Sequence, residues 1–379
     1  MRHRIFIFFA LIILSGSAFS QTQSLRVSLL TQDPGEELYA FFGHTAIRIT
    51  DDSLGIDQVY NYGTFDFSTK NFYLRFIKGD LDYCLSIDYY GYFVDFSKET
   101  NRTITEQVLD LSYEEKVNLL TALETCYNTP ARYYRYDFLK NNCATKIRDI
   151  IEDATAKRID FDKANYSGMT FRQLLRPYIS SNYWLNLGMN LVMGSATDEA
   201  AKPEDYMFLP FYIQEFFANT KFVTQSTVIL DASPKQKTGF NFSYLAPWII
   251  VVILLTMSFW KKSRKIALYS LSTVFSLMGL LILAFGIYSK HPALGQNMNI
   301  IWTIPALLIL IVRKKSIAEI IKMVYVAIIA LLLATWTFLP QELSLTFLPW
   351  MFCMMIMLLL NLNVVELVKK KIKKSKAIN

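Results

Sequence analysis

Two hydrophobic rhythms divide the chain. Up to about residue 243 apolar positions come in short runs at strand or helix spacing, and beyond it they fuse into long stretches. Residues 25–30 alternate and read as a strand, and Asp33-Pro34-Gly35 marks a turn. Residues 41–49 and 58–65 flank a polar turn at 51–57 and predict a β-hairpin. A turn symmetric about Leu54 sets His44 opposite Thr64, with Asn61 and Asp66 a step or two away. Strand-like, aromatic-rich sequence follows over 71–96, and 103–109 alternates again. Ser112 and Glu115 give the capping signature of a helix that runs to about Tyr127 and stops at Asn128-Thr129-Pro130. Asn142 stands at a preferred N-cap position, and Ile147, Ile150 and Ile151 give 144–154 the spacing of an amphipathic helix. Residues 161–243 read as a helical subdomain leading into a membrane. The whole of 21–243 is expected to be one α+β domain.

The later stretches, 244–260, 266–288, 300–312, 317–339 and 345–368, predict an all-α membrane domain of about five transmembrane helices over 244–368, the third being short. At the other end Arg2 and Arg4 precede an apolar run and a small-residue stretch, so 1–20 reads as a signal peptide, with an uncleaved anchor as the alternative. Thirteen Lys and Arg lie in 261–265, 313–315 and 369–376, whereas the alternate joins hold only Lys290. By the positive-inside bias the basic joins and the tail 369–379 are cytoplasmic, and 21–243 is outside, which in a bacterial inner (cytoplasmic) membrane is the periplasmic side.

Composition changes one inference. The chain carries a formal charge of +7, but 21–243 holds 22 basic and 29 acidic residues, a net of −7. The basic excess therefore belongs to membrane flanks, and a nucleic-acid surface is not expected.

Candidate chemistry is sparse. Of three histidines, His3 lies in the signal segment, leaving His44 and His291, both on the non-cytoplasmic side. Cys143 follows Asn141-Asn142 at a helix start, where backbone N–H groups and the dipole favour a thiolate, and His44 is the one histidine of the exported domain able to act as its base. A buried structural cysteine and a hydrogen-bonding histidine are the bland alternatives. Neither a Cys-x-x-Cys nor a His-x-x-x-His pair, a Gly-x-Ser-x-Gly elbow or a phosphate loop is present, so no metal and no cofactor are expected. Cys84 and Cys126 are either a disulfide or two inert thiols, and Cys353 reads as packing in the fifth stretch.

Gly43-His44-Thr45-Ala46-Ile47 on a strand, Tyr60-Asn61-Tyr62-Gly63 on the next, and Asn141-Asn142-Cys143 opening a helix resemble the circularly permuted papain-like fold, in which histidine precedes cysteine. With the signal segment, the long stretches, Met207-Phe208-Leu209-Pro210, and His291-Pro292, Asn297, Asn299 and Trp302, the chain is similar throughout to the Lnb-type lipoprotein N-acyltransferases. That resemblance implies transfer of an acyl chain from a phospholipid donor, through a thioester on Cys143, to the α-amine of a diacylated lipoprotein acceptor. It implies His44 as acid and base, with Asn61 orienting its ring. The Cys143 N–H with Asn141 or Asn142 would hold the oxyanion, and His291, Asn297, Asn299 and Trp302 would shape a lipid site. Two other readings stay open: a membrane-anchored papain-like hydrolase, acting as peptidoglycan peptidase or phospholipase, and a non-catalytic membrane scaffold.

Overall fold

A computed structural model describes residues 24–156, 160, 166, 168–233, 242–312 and 315–362; the signal segment, Arg313, Lys314 and the basic tail lie outside them. The first half is built on seven strands: β1 (Arg26–Gln32), β2 (His44–Asp51), β3 (Ile56–Thr64), β4 (Asp82–Tyr89), β5 (Ile104–Leu109), β6 (Tyr133–Arg135) and β7 (Val223–Leu230). They form one antiparallel sheet in the order β6-β4-β3-β2-β1-β5-β7.

The predicted hairpin is β2–β3, but its register differs by one residue. Ile47 faces Tyr60 and Asp51 faces Ile56. Asp51 sets this offset: its carboxylate accepts from the backbone N–H of Ser53 and Leu54, drawing the turn toward β2. A second difference concerns 71–96, where two helices, α1 (Phe72–Lys78) and α2 (Tyr90–Glu99), flank the single strand β4. Its aromatic residues have strand propensity, but tertiary packing overrides that weak preference.

Alternation along the strands separates two cores. Val27, Leu29, Ile47, Ile49 and Leu85 face one side, where Leu119 and Leu123 of α3 (Tyr113–Tyr127) and Ile147 and Ile151 of α4 (Cys143–Thr155) cover them. Leu30, Ala46, Val59 and Ile104 face the other, under Phe93 of α2. Each of the Val, Leu and Ile side chains, fully buried, contributes roughly 1.5–3 kcal/mol. The Ser112–Glu115 capping box opens α3 as the sequence indicates.

Three helices follow, α5 (Phe171–Ile179), α6 (Tyr183–Val192) and α7 (Pro210–Ala218). The region is therefore helical up to Ala218, but the chain then returns to the sheet as β7 instead of passing directly to the membrane. Arg172 joins these elements. It donates to both carboxylate oxygens of Asp198 at 2.8 and 2.9 Å, and in buried bonds to Asn190 Oδ1 at 2.8 Å and to the carbonyls of Met193 and Gly194.

The second half is helical: α8 (Phe242–Met257), α9 (Lys261–Tyr288), α10 (Lys315–Ala334) and α11 (Leu348–Leu360). Among the described residues two helical segments, Lys261–Tyr288 and Ile317–Ala334, are long and apolar enough to cross a membrane, and α8 and α11 are shorter apolar helices. The third predicted stretch is not a straight span. It consists of short turns bent by 47° between Pro292–Ile301 and Pro305–Ile311, where a proline without an N–H interrupts the helical ladder.

The halves meet along a hydrogen-bonded seam. The Gly194 N–H donates to the Ala293 carbonyl at 2.7 Å, and a Cβ on Gly194 would stand 1.7 Å from the Gly295 carbonyl oxygen, so only glycine permits this approach. Tyr183 adds a bond to the Thr346 carbonyl at 2.7 Å, and Arg176 pairs with Glu342.

Candidate active site

Cys143 is the first residue of α4, and the helix start is fixed by Asn142. Its Oδ1 accepts from Ala144 N at 2.9 Å and Thr145 N at 3.1 Å, while Thr145 Oγ1 accepts from Asn142 N at 2.8 Å. Its Nδ2 donates to the carbonyls of Phe138 and Phe208, both at 2.8 Å. These bonds use both ends of the Asn142 amide to build the turn. Asn141 is likewise structural in its contacts: its Nδ2 donates to the Arg135 carbonyl at 2.7 Å, and its backbone pairs with Asp137.

The thiol of Cys143 lies against strands β2 and β3. On one side it meets the backbone N–H of Thr45, the residue after His44, together with the N–H groups of Ala144 and of Cys143 itself. On the other side stands Gly63, with φ +92°; a Cβ there would sit 3.4 Å from the Cys143 Cβ and 3.9 Å from the Tyr134 hydroxyl. The positive φ calls for glycine here, and a Cβ would come only into ordinary contact with Cys143.

His44 begins β2. Its Nε2 is 3.0 Å from Asn61 Oδ1, and Asn61 Nδ2 donates to Asp88 Oδ2 at 2.8 Å. The carboxylate fixes the amide's orientation, since only the NH₂ end can donate to it. Asn61 therefore presents its oxygen to His44, Nε2 carries the ring proton, and Nδ1 is left as the basic nitrogen. The structure thus pairs His44 with Asn61, and it brings Cys143 to the backbone of Thr45, the residue after His44. No hydrogen bond joins Cys143 to His44 in this state.

Burial governs the protonation of both groups. It holds the His44 pKa down to about 4; the bond to Asn61 opposes this, and the charge of Arg102 reinforces it. His44 is accordingly neutral near pH 7. Burial likewise pushes the Cys143 thiol up, although three backbone N–H groups and Arg102 pull the other way. A helix start alone favours thiolate; here desolvation outweighs it, so the resting pair is thiol and neutral imidazole.

Sequence reasoning missed two charged participants. Arg102, in the turn before β5, is 3% exposed; its Nε donates to the Asp33 carbonyl at 2.7 Å, and its Nη2 is buried without a hydrogen-bond partner. Ile104 faces Gln32 and Gln32 faces His44 across the sheet, which carries Arg102 to the same sheet end as His44. Asp88 comes from β4, where the neighbouring pair Asn61–Ser86 brings it beside Asn61. Neither has a local motif; strand order alone unites them.

The remaining site candidates fall on the seam. Asn297 Nδ2 donates to the carbonyls of Leu191 and Val192, Asn299 Nδ2 to those of Asn190 and Leu191, and Trp302 Nε1 to Asn299 Oδ1. Trp302 is 1% exposed, so it is a core residue and not a member of an interfacial belt. His291 Nε2 donates to the Phe76 carbonyl at 2.9 Å, and its Nδ1 is 3.5 Å from Asp137 Oδ2. Asp137 also accepts from the backbone N–H groups of Leu139 and Lys140, so His291 ties the loop preceding Cys143 to the membrane half. Cys84, Cys126, Cys143 and Cys353 all carry free thiols.

A thiol at a helix start, a half-buried neutral imidazole and an amide anchored by a carboxylate define a candidate cysteine–histidine site in an α+β domain mounted on a helical, membrane-like domain. Residues 17–177 match the family model of the Lnb N-terminal periplasmic domain, and residues 240–371 match that of the Lnb transmembrane domain. The chain belongs to the Lnb family. No curated protein and no solved structure matches it.

Proposed function

We propose that this protein is an apolipoprotein N-acyltransferase of the bacterial inner membrane, with its site on the periplasmic side and its C-terminus in the cytoplasm. Family membership supports a lipoprotein-processing membrane protein. The observation that carries the finer reading is the Cys143 thiol at the start of α4, where the backbone N–H groups of Thr45 and Ala144 favour its anion, together with a neutral His44 whose Nδ1 is unprotonated. The order histidine-then-cysteine is that of a permuted papain-like enzyme.

In the first half-reaction His44 Nδ1 takes the thiol proton as sulfur attacks the ester carbonyl of a phospholipid. The carbonyl oxygen gains negative charge, which backbone N–H groups at the helix start stabilise. The ester C–O bond breaks, the S–C bond is complete, and the proton on His44 passes to the departing lysophospholipid oxygen. In the second half the α-amine of a diacylglyceryl-cysteine attacks the thioester, its proton moves to His44, the N–C bond forms, and sulfur leaves to recover that proton. The Arg102 charge favours anionic sulfur and disfavours imidazolium, so it keeps His44 in its unprotonated form while making the ring a weaker proton acceptor.

Purified full-length protein in phospholipid nanodiscs, given a diacylated lipopeptide, is expected to release lysophospholipid and yield triacylated peptide by mass spectrometry. Cys143→Ala abolishes both products. Free fatty acid without triacylated peptide would instead identify a hydrolase, and unaltered lipoprotein N-termini in cells carrying Cys143→Ala would leave a scaffold.

A further inference from the structure

The exported domain displays an apolar face that its own core does not use. Leu38 is 71% exposed, Tyr39 53%, Phe67 57%, Tyr73 72% and Leu74 58%. Its rings are joined through Phe72, a buried core residue: Tyr39 and Phe67 lie 6.3 Å apart between centroids, Phe67 and Phe72 4.8 Å, and Phe72 and Tyr73 5.3 Å. A connected patch of this kind marks an interaction surface, whereas scattered apolar residues need no explanation.

Its place in the fold selects the occupant. Tyr73 and Leu74 belong to α1, and α1 is fastened to the end of the membrane-length helix α9. The Lys290 N–H donates to the Lys78 carbonyl at 3.0 Å, His291 holds the Phe76 carbonyl, and the Lys78 ammonium stands 5.6 Å over the Tyr288 ring. The exposed apolar side of α9, with Leu283 at 42% and Ile287 at 85%, runs up to this junction. A cleft of about 380 Å³ opens there, lined by Ile282, Leu283, Gly286, Ile287, Leu294 and Ile300 among others. The other end of the ring series reaches the thiol. Phe65 lies 5.6 Å from Phe72, and Gly63, two residues before Phe65, abuts Cys143. Tyr39 lies close enough to Arg102 to interact with its charge.

We propose that the face formed by Leu38, Tyr39, Phe67, Tyr73 and Leu74 rests in the lipid of the periplasmic-side membrane surface and guides a phospholipid acyl chain from beside α9 toward Cys143. The guiding role rests on the thioester reading above; the lipid contact does not. An apolar face continuous with a spanning helix, carrying Tyr at the level of the helix end, has the composition of an interfacial lipid contact.

The test places the photo-crosslinker p-benzoylphenylalanine singly at Phe67, Tyr73 or Leu74 of the full chain, in nanodiscs of phosphatidylethanolamine and phosphatidylglycerol. Leu54, 71% exposed at the opposite end of β2 from His44, is the control. Lipid adducts several-fold above the Leu54 level are expected at all three positions; adducts at or below that level, or adducts to protein only, overturn the proposal. As a second arm, Tyr73→Ser with Leu74→Ser should lower the rate with a bilayer donor about tenfold relative to that with a water-soluble short-chain phospholipid. An equal loss on both donors overturns the guiding role. Adducts in a wild-type protein that forms no triacylated peptide would uphold the lipid contact and sink the transferase reading; transfer without adducts would do the reverse.

Discussion

Acidification is the perturbation that reads the site most directly. Burial holds His44 at about 4 against an ordinary value of 6.5. A depression of that size, at about 1.4 kcal/mol per pH unit, corresponds to roughly 3 kcal/mol of preference for the neutral ring in the folded domain. The unfolded chain binds a proton at His44 that the folded chain refuses, so folding stability gains from this group as pH rises. Its contribution is complete above 6.5 and is lost as pH falls through the window down to about 4. The same depression sets the chemistry. If neutral His44 is the base, the acid limb of lysophospholipid release lies near 4 and activity is flat through the range in which an ordinary histidine titrates. Single-turnover release between about pH 3 and 8, with intrinsic fluorescence to report folding at each point, separates loss of base from loss of fold. His44→Gln should show no release at any pH while shedding the acid sensitivity of the fold. An acid limb between about 6 and 7 would refute both the burial argument and the assignment of a neutral base.

Other consequences follow from charged groups around this centre. Arg102→Gln removes a charge that lowers both site groups, so the pH dependence of Cys143 alkylation should move higher, and Arg102→Lys should restore part of the shift. Arg172→Met leaves Asp198 buried without its partner and should cost about 3–5 kcal/mol, seen as a lowered melting temperature in detergent. His291 is raised above 6.5, first by its bond to Asp137, so its contribution to the seam is complete below 6.5 and fades as pH climbs through the raised value. Thermal unfolding should therefore separate His291→Gln from wild type most at acidic pH and least at alkaline pH.

Local signals were legible in the sequence and distant ones were not. The β2–β3 hairpin, the capping box at Ser112 and the Asn142 cap each depend on neighbours within a few residues, and each was visible as periodicity or spacing. His44 and Cys143 were legible because histidine is scarce and cysteine followed a capping residue. β7 escaped because it is an edge strand exposed along most of its length, so no face of it carries a buried alternation, and its partner β5 lies over a hundred residues upstream. Arg102 and Asp88 escaped for the related reason that only the order of strands brings them to His44. The seam residues were singled out as a group, but sequence could not show that Asn297 and Asn299 cap the carbonyls at the end of α6. The bend in the third apolar stretch falls at the break before Pro305, and the effect of a proline on a helix depends on what satisfies the freed backbone.

The seam through Gly194, Asn297, Asn299 and His291 has a consequence for choosing an acceptor under the proposed function. Buried hydrogen bonds join the sheet domain to the helical half and so hold Cys143 at a fixed distance from it. In the proposed reaction an acceptor amine would arrive at an elevation of its own, set by the glyceryl linkage and the cysteine that carry it. The mount would then work as a gauge: amines held at that level would meet the thioester, and the ammonium groups of headgroups or lysines at other levels would pass it by.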